Sequence, residues 1–217
     1  MRNVSNATLL IDLHYLPSLA YLTRLLPHTT VRIEAQENYQ KQTYRNRCYI
    51  LTAQQVDRLT VPVCKSSSKA PYRTVKIDDS QPWVDVHWRA FCTAYGKAPY
   101  FAYFADYVRA IFLERHTYLF DLNLALLKTC LQLLQLDKHL ELSSHYDKAP
   151  GKHLVDARGS IHPHNRLIGS NHYLPVQYPQ VFGNTFHPNL SIIDLLCCEG
   201  PNASTILQQS LAHKILD

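Results

Sequence analysis

No stretch of this 217-residue chain approaches the ~20 consecutive apolar residues of a membrane-spanning helix, so a helical span is not expected. Residues 1–11 lack a basic segment leading into a sustained apolar run; no signal peptide is apparent, and the expected location is the cytoplasm. CxxC spacing is absent too: Cys48, Cys64, Cys92, Cys130, Cys197 and Cys198 lie scattered among apolar neighbours. They read as reduced thiols and not as a disulfide frame or zinc cluster. Without GxGxxG or a Walker sequence, no standard phosphate cradle is present. No Ser–His–Asp or Cys–His arrangement can be assembled from local motifs. His153, His162 and His164 occur in a polar stretch without helical HxxxH spacing or adjoining Cys or carboxylate clusters. No metal and no cofactor is therefore expected. Charge is sparse as well. Only 18% of residues are charged and the net charge is +5, which falls short of the dense Lys/Arg stripe of a nucleic-acid binder. The modest excess suits an anionic small molecule better.

Hydrophobic residues make up 46% of the chain, a globular balance. A chain of this size buries roughly 70% of its unfolded surface and needs no staple. Tyrosine is unusually frequent, at 14 against 7 phenylalanines. Its combination of apolar area and hydroxyl suits groove walls as well as half-buried surface positions.

The order of elements is read from periodicity. Residues 9–13 form a short apolar run suited to a buried strand. The Pro17-Ser18 loop opens a helix carrying Leu19, Leu22, Leu25 and Leu26 at helical spacing. Val31, Ile33 and Ala35 alternate as a second strand, so the opening unit reads as a parallel βαβ crossover. Residues 41–51 continue in an extended pattern, and residues 59–63 and 75–77 are further strand candidates. Helices are predicted over residues 83–95, 100–112 and 119–134, and a strand ends at Leu142-Ser143-Ser144. Residues 147–171 are polar and aperiodic, which predicts a mobile loop. Helices over residues 191–198 and 203–216 close the chain. Together these give an α/β fold, a mixed or largely parallel sheet with flanking helices, in a single domain over residues 1–217.

Several phrases resemble the WbqC-like protein family. Tyr15-Leu16-Pro17-Ser18 followed by Tyr21 is similar to its opening aromatic-Leu-Pro element. ENYQKQTYRNRCYI, residues 37–50, is similar to its most distinctive stretch, with Lys41, Asn46 and Arg47 at the matching places. LTVPV at 59–63, the His87-Trp88 pair, YGKAPYF at 95–101 and FHPNLSIIDLL at 186–196 continue the likeness in the same order. The chain departs from it at Asp12-Leu13, where many relatives carry Gln-Pro. The resemblance implies a bacterial cytosolic protein associated with surface-polysaccharide synthesis such as O-antigen. It also implies transfer of an acyl or aminoacyl group onto an amino sugar.

The sharpest chemical feature is Lys41, Thr43, Arg45 and Arg47. In a strand all four share one face, and the three cations repel unless an anion or protein carboxylates neutralise them. A phosphate or carboxylate ligand held by Lys41, Arg45 and Arg47 would do so, a nucleotide sugar among them. Pairing with Glu34 or Glu37, or a solvated basic strand, is the alternative. Tyr15, Tyr39 and Tyr100 are expected to line the groove. His87 is a candidate general base, with aromatic packing as the competing role. His14 lies where a parallel strand ends, the usual ligand position in open α/β sheets, though hydrogen bonding within the fold also explains it. Asp194 on an apolar helix needs a partner, most simply a cation or helix amides, and Asn189 is expected to cap that helix. Two functions remain: a transferase acting on a nucleotide-activated or amino sugar, and a non-catalytic binding or scaffold protein. Nothing in the sequence sets an oligomeric state.

Overall fold

The apolar run near the start folds as β1 (Thr8–Ile11), crosses through α1 (Leu19–Leu25) and returns as β2 (Thr30–Ile33). The two strands pair in parallel, with Leu9 opposite Val31 and Ile11 opposite Ile33. All four of those side chains are fully buried, which fixes the register, since a one-residue slip would turn them outward. The computed structural model describes residues 7–65, 70–151, 153–163 and 172–212.

A four-stranded parallel sheet is completed by β5 (His139–Leu142) beside β2 and β6 (Leu154–Asp156) beside β1, in the order β5-β2-β1-β6. Between its strands the chain makes an antiparallel pair, β3 (Arg47–Leu51) and β4 (Val56–Thr60). Three helices follow, α2 (Trp83–Tyr95), α3 (Phe101–Leu113) and α4 (Leu119–Leu133). In α4, Leu119, Leu122, Leu126, Leu127 and Cys130 recur at helical spacing and are buried, as their periodicity predicts. The α/β class with a largely parallel sheet is thus as expected. No helix among the described residues is long and apolar enough to cross a membrane.

Three expectations are corrected. The extended run from residue 41 does not exist: residues 41–46 turn, Gln42 takes a φ of 63°, and the strand starts only at Arg47. The segment 147–171 is not a loop throughout, because Leu154–Asp156 forms β6 and pairs with β1. Residues 152 and 164–171, His164 included, lie outside the described residues. Residues 75–77 make isolated bridges only, Ile77 with Val63 and Lys76 with Tyr118.

The closing segment clasps the start of the chain. Helix α5 (Ile192–Glu199) is capped by Ser191, whose hydroxyl accepts from the Ile193 amide and donates to the Leu16 carbonyl. Asn189 serves a different helix from the one expected. Its Oδ1 accepts from the Ala20 amide at 2.9 Å, at the start of α1, where Ser18 makes no side-chain cap. Helix α6 (Ala203–Gln209) packs against α1 and α5 and is shorter than the helix expected over residues 203–216, because the chain leaves it at Ser210 and Leu211 bridges Tyr173.

Candidate functional site

Every parallel strand ends at one edge, and the sheet order reverses there between β1 and β6, the crevice where open α/β sheets hold ligands. Polar groups sit where each strand ends: Asp12 and His14 after β1, Glu34 after β2, Ser143 after β5, Arg158 and the Gly159 amide after β6. All but Arg158 and Gly159 are buried, and each has a defined partner.

Asp12 is the centre. Its Oδ2 accepts from His14 Nε2 at 3.0 Å and faces Arg45 Nη2 at 3.1 Å, while Oδ1 accepts the Gly159 amide at 3.1 Å. That last bond ties β1 to the turn after β6 across the point of strand reversal. Arg45 also grips Glu37 with two bonds, Nε to Oε1 at 2.7 Å and Nη2 to Oε2 at 2.6 Å, and Nη1 reaches Thr43 Oγ1 at 3.3 Å. Burial pushes the Asp12 carboxyl up, but His14, Arg45 and the Gly159 amide outweigh it and hold the group well below the usual carboxylate range. Around Arg45, burial works against the charge, and Asp12 and Glu37 more than restore it.

With Nε2 directed at Asp12, His14 keeps Nδ1 for another partner, and among the described residues that nitrogen has none. The ring lies 4.6 Å from Tyr21 and 5.3 Å from Tyr44 between centroids. The Tyr21 hydroxyl is likewise buried without a partner among the described residues. A carboxylate orienting one imidazole nitrogen and leaving the other open is the base-and-orienter arrangement of general-base catalysis.

The neighbouring strand ends build a cleft of about 540 Å³, lined among others by Arg32, Glu34, Glu141, Ser143, His145 and His153. Ser143 Oγ donates to Glu34 Oε1 at 2.6 Å and accepts from the Ala35 amide. Arg158 bridges Glu34 at 3.0 Å and Asp156 at 2.8 Å, and its neighbour Gly159 holds Asp12, so cleft and Asp12–His14 pair share one turn. Among the described residues, no group of three or more His, Cys, Asp or Glu is placed to hold a metal. All six cysteines are unpaired, and burial raises the thiols of Cys130 and Cys198 to about 12.

The residues singled out from sequence scatter. Lys41 is exposed, Arg45 is buried between two carboxylates, and Arg47 is half-buried with Nη1 on the Gln42 carbonyl, so the three do not form one stripe. The strand alternation that would align them begins only at Arg47. Tyr15, Tyr39 and Tyr100 do not share a groove. Tyr15 is buried against His87, Tyr39 is buried beside Tyr72, and Tyr100 borders a separate 540 Å³ cavity with Tyr103 and Tyr107. A Cβ at Gly200 would overlap the Tyr100 ring, so glycine is required there.

His87 is a core residue. Its Nε2 lies 3.2 Å from the Thr60 carbonyl, which only accepts, so Nδ1 accepts the Tyr15 hydroxyl at 2.7 Å. Neither nitrogen is left for a substrate proton, which corrects its reading as the general base. Burial, opposed by the Thr60 bond, holds it down at about 4. It is therefore neutral in the fold. Its contribution is complete above the ordinary value near 6.5 and is lost as pH falls from there toward 4, by about 3 kcal/mol. Melting curves from pH 7 to pH 4 should show this as an acid sensitivity that His87→Gln reduces; parallel profiles for the two proteins would refute it.

Asp194 differs from expectation too. It is fully buried with neutral partners, Tyr178 Oη at 2.6 Å and Gln180 Nε2 at 3.2 Å, and burial raises its carboxyl. Asp12, Glu34, Ser143 and Arg158 were missed as site residues. The available signal is positional: Asp12, Glu34 and Ser143 each directly follow the apolar last residue of a strand, Ile11, Ile33 and Leu142.

The profile of the WbqC-like protein family matches residues 13–175 and 168–206. An uncharacterized protein of Mycobacterium tuberculosis (strain ATCC 25618 / H37Rv) is 29% identical over 224 residues, covering 92% of this chain and 96% of its own. No solved structure matches. Since the matched residues run from just after Asp12 through Arg45, Arg158 and helix α5, the chain belongs to the WbqC-like protein family.

Proposed function

We propose that this protein is a transferase of bacterial surface-polysaccharide precursor synthesis, moving an acyl or aminoacyl group onto a nucleotide-linked amino sugar at the carboxyl edge of its parallel sheet. The observation that carries this reading is the Asp12–His14 pair with Nδ1 unpartnered, at the point where the strand order reverses. In this reading the acceptor amine attacks the acyl carbon and a C–N bond forms. The bond to the leaving group breaks with its electron pair, and the amine proton passes to His14 Nδ1. Asp12 holds the ring, and Arg45 holds Asp12. His14 is 1% exposed, so an acceptor reaches Nδ1 when the flanking Tyr21 and Tyr44 rings part. Lys41 and Arg47 are the proposed cations for the nucleotide phosphates.

A non-catalytic binding role is the second reading, favoured by the way Arg45 and Asp12 already satisfy one another. Mass spectrometry of small molecules released from the purified protein, followed by incubation with nucleotide-linked amino sugars and acyl or aminoacyl donors, separates the two. The transferase reading expects a product heavier by the acyl group. A bound nucleotide sugar that is never modified would leave the binding role instead.

A further inference from the structure

The 540 Å³ cavity beside Tyr100 lies between α3, the end of α4, the Gly200-Pro201 turn and Ser204 of α6. None of its lining residues belongs to the carboxyl-edge site, and its size falls within the ~300–1,000 Å³ of small-molecule sites. Its aromatic part is three tyrosines. Tyr100, Tyr103 and Tyr107 follow one another at i, i+3 and i+7, which sets them on one side of α3. The Tyr100 and Tyr103 ring centroids are 6.2 Å apart with their planes inclined at 46°, and Tyr103 is 70% and Tyr107 50% exposed.

The backbone is shaped around these rings. The Tyr100 amide donates to the Cys197 carbonyl at 3.0 Å, which ties it to the last turn of α5. Gly200, at a φ of 51°, lets the Tyr100 ring lie against its backbone where any Cβ would overlap it. Gln135, which also lines the cavity, takes a φ of 54°, a left-handed conformation unfavourable for a residue of its kind.

What the lining lacks narrows the ligand. Among the described residues that line the cavity there is no Asp, Glu, Lys, Arg or His, so a phosphate, an ammonium or a metal ion would find no opposite charge. Its polar side chains are neutral: the tyrosine hydroxyls, the Gln135 amide and the Ser204 hydroxyl. A hydrocarbon chain would cover those groups and give them nothing to bond. A pyranose satisfies both halves. Its C–H groups lie on an aromatic face, which carries negative charge density, and the hydroxyls around its edge both donate and accept. The inclined Tyr100 and Tyr103 rings form a corner, which fits a compact ring better than an extended chain.

We propose that this tyrosine-lined cavity is a saccharide site for an uncharged pyranose unit, separate from the carboxyl edge and independent of the transferase reading. Tyr103 and Tyr107 supply the stacking faces, Tyr100 closes the corner, and Gln135 and Ser204 bond the sugar hydroxyls. The sugar is either a single residue or one unit of a glycan chain.

The test uses the full chain in saturation-transfer NMR and titration with the methyl glycosides of glucose, galactose and N-acetylglucosamine, with lactose and chitobiose, and with decaproline as a peptide control. Saturable binding of at least one sugar is expected, with transfer strongest to the C–H protons of one ring face. Tighter binding of a disaccharide marks a glycan chain, and equal binding marks a single sugar. Tyr103→Ala and Tyr107→Ala remove exposed rings, so both variants should fold, and each should weaken binding at least ~5-fold, the loss expected of one stacked ring. Tyr103→Phe keeps the ring and should bind nearly as wild type. His14→Gln should bind the sugar unchanged, which separates this result from the outcome of the acyl-transfer assay. No binding of any sugar by the wild type, binding undiminished in folded Tyr103→Ala and Tyr107→Ala, or binding of decaproline alone overturns the proposal.

Discussion

Replacing Arg45 with methionine is expected to lower the melting temperature by about 10 °C, the largest effect of any single substitution at the carboxyl edge. The guanidinium bonds Glu37 through two nitrogens and faces Asp12, and all three side chains are buried. Methionine fills much of the same volume but leaves two carboxylates without their cation. Breaking a buried ion pair from one side costs ~3–5 kcal/mol, and in a chain of this size each kcal/mol moves the midpoint by ~2–4 °C. The acid limb should change as well. Because the folded Asp12 carboxyl lies below its ordinary value, its contribution is present above about pH 4 and is lost as pH falls through the folded value. Arg45→Met should remove part of that acid dependence. The pairing makes a second variant informative: Arg45→Met with Glu37→Gln strands only one charge and should recover part of the loss. A melting temperature within 2 °C of wild type in Arg45→Met would mean the three groups are not coupled.

Ending the chain before Phe186 is expected to abolish folding altogether. The missing segment includes Leu190, Ile192, Ile193, Leu195, Leu196 and Cys197, each at most 4% exposed. At ~1.5–3 kcal/mol for each buried side chain the loss is on the order of 10 kcal/mol, comparable to the whole stability of an ordinary domain. Backbone bonds go with it. The Leu19 amide donates to the Leu190 carbonyl, the Ile192 amide to the Pro17 carbonyl, and the Ala20 amide to Asn189 Oδ1. Helix α1 would lose its cap and its packing partner together. Circular dichroism and gel filtration of the shortened chain should show loss of cooperative melting, and a shortened protein that melts cooperatively would contradict the core position given to α5.

What the sequence discloses follows from how local each determinant is. The unit β1-α1-β2 could be read because Leu9, Ile11, Leu19, Leu22, Val31 and Ile33 carry their periods within a short span. Strand β6 could not. It spans only Leu154–Asp156 in a polar stretch, and what holds it is pairing with β1, far away in sequence. The same holds for the site. Asp12, Glu37 and Arg45 are brought together by the turn at residues 41–46, including the left-handed Gln42, and no periodicity signals that turn. Sequence reading offered Glu37 as one alternative partner of Arg45, but it placed Arg45 on a strand face beside Lys41 and Arg47. His87 was legible as a helix residue among aromatics. Its second bond, to Thr60 on β4, depends on tertiary packing alone. Where a polar residue directly follows the apolar last residue of a strand, as Asp12, Glu34 and Ser143 do, the sequence carries a positional hint that strand topology turns into a site.

The most direct test of the carboxyl-edge site is turnover by His14→Gln in the acyl-transfer assay with nucleotide-linked amino sugars. Glutamine can still donate to Asp12 but carries no basic nitrogen, so the fold should survive while the base is lost. Turnover should fall ~10²–10⁴-fold, with the melting temperature close to wild type and KM little changed. Undiminished turnover in His14→Gln, or no transfer by the wild-type protein to any amino sugar offered, would contradict a catalytic site built on Asp12 and His14.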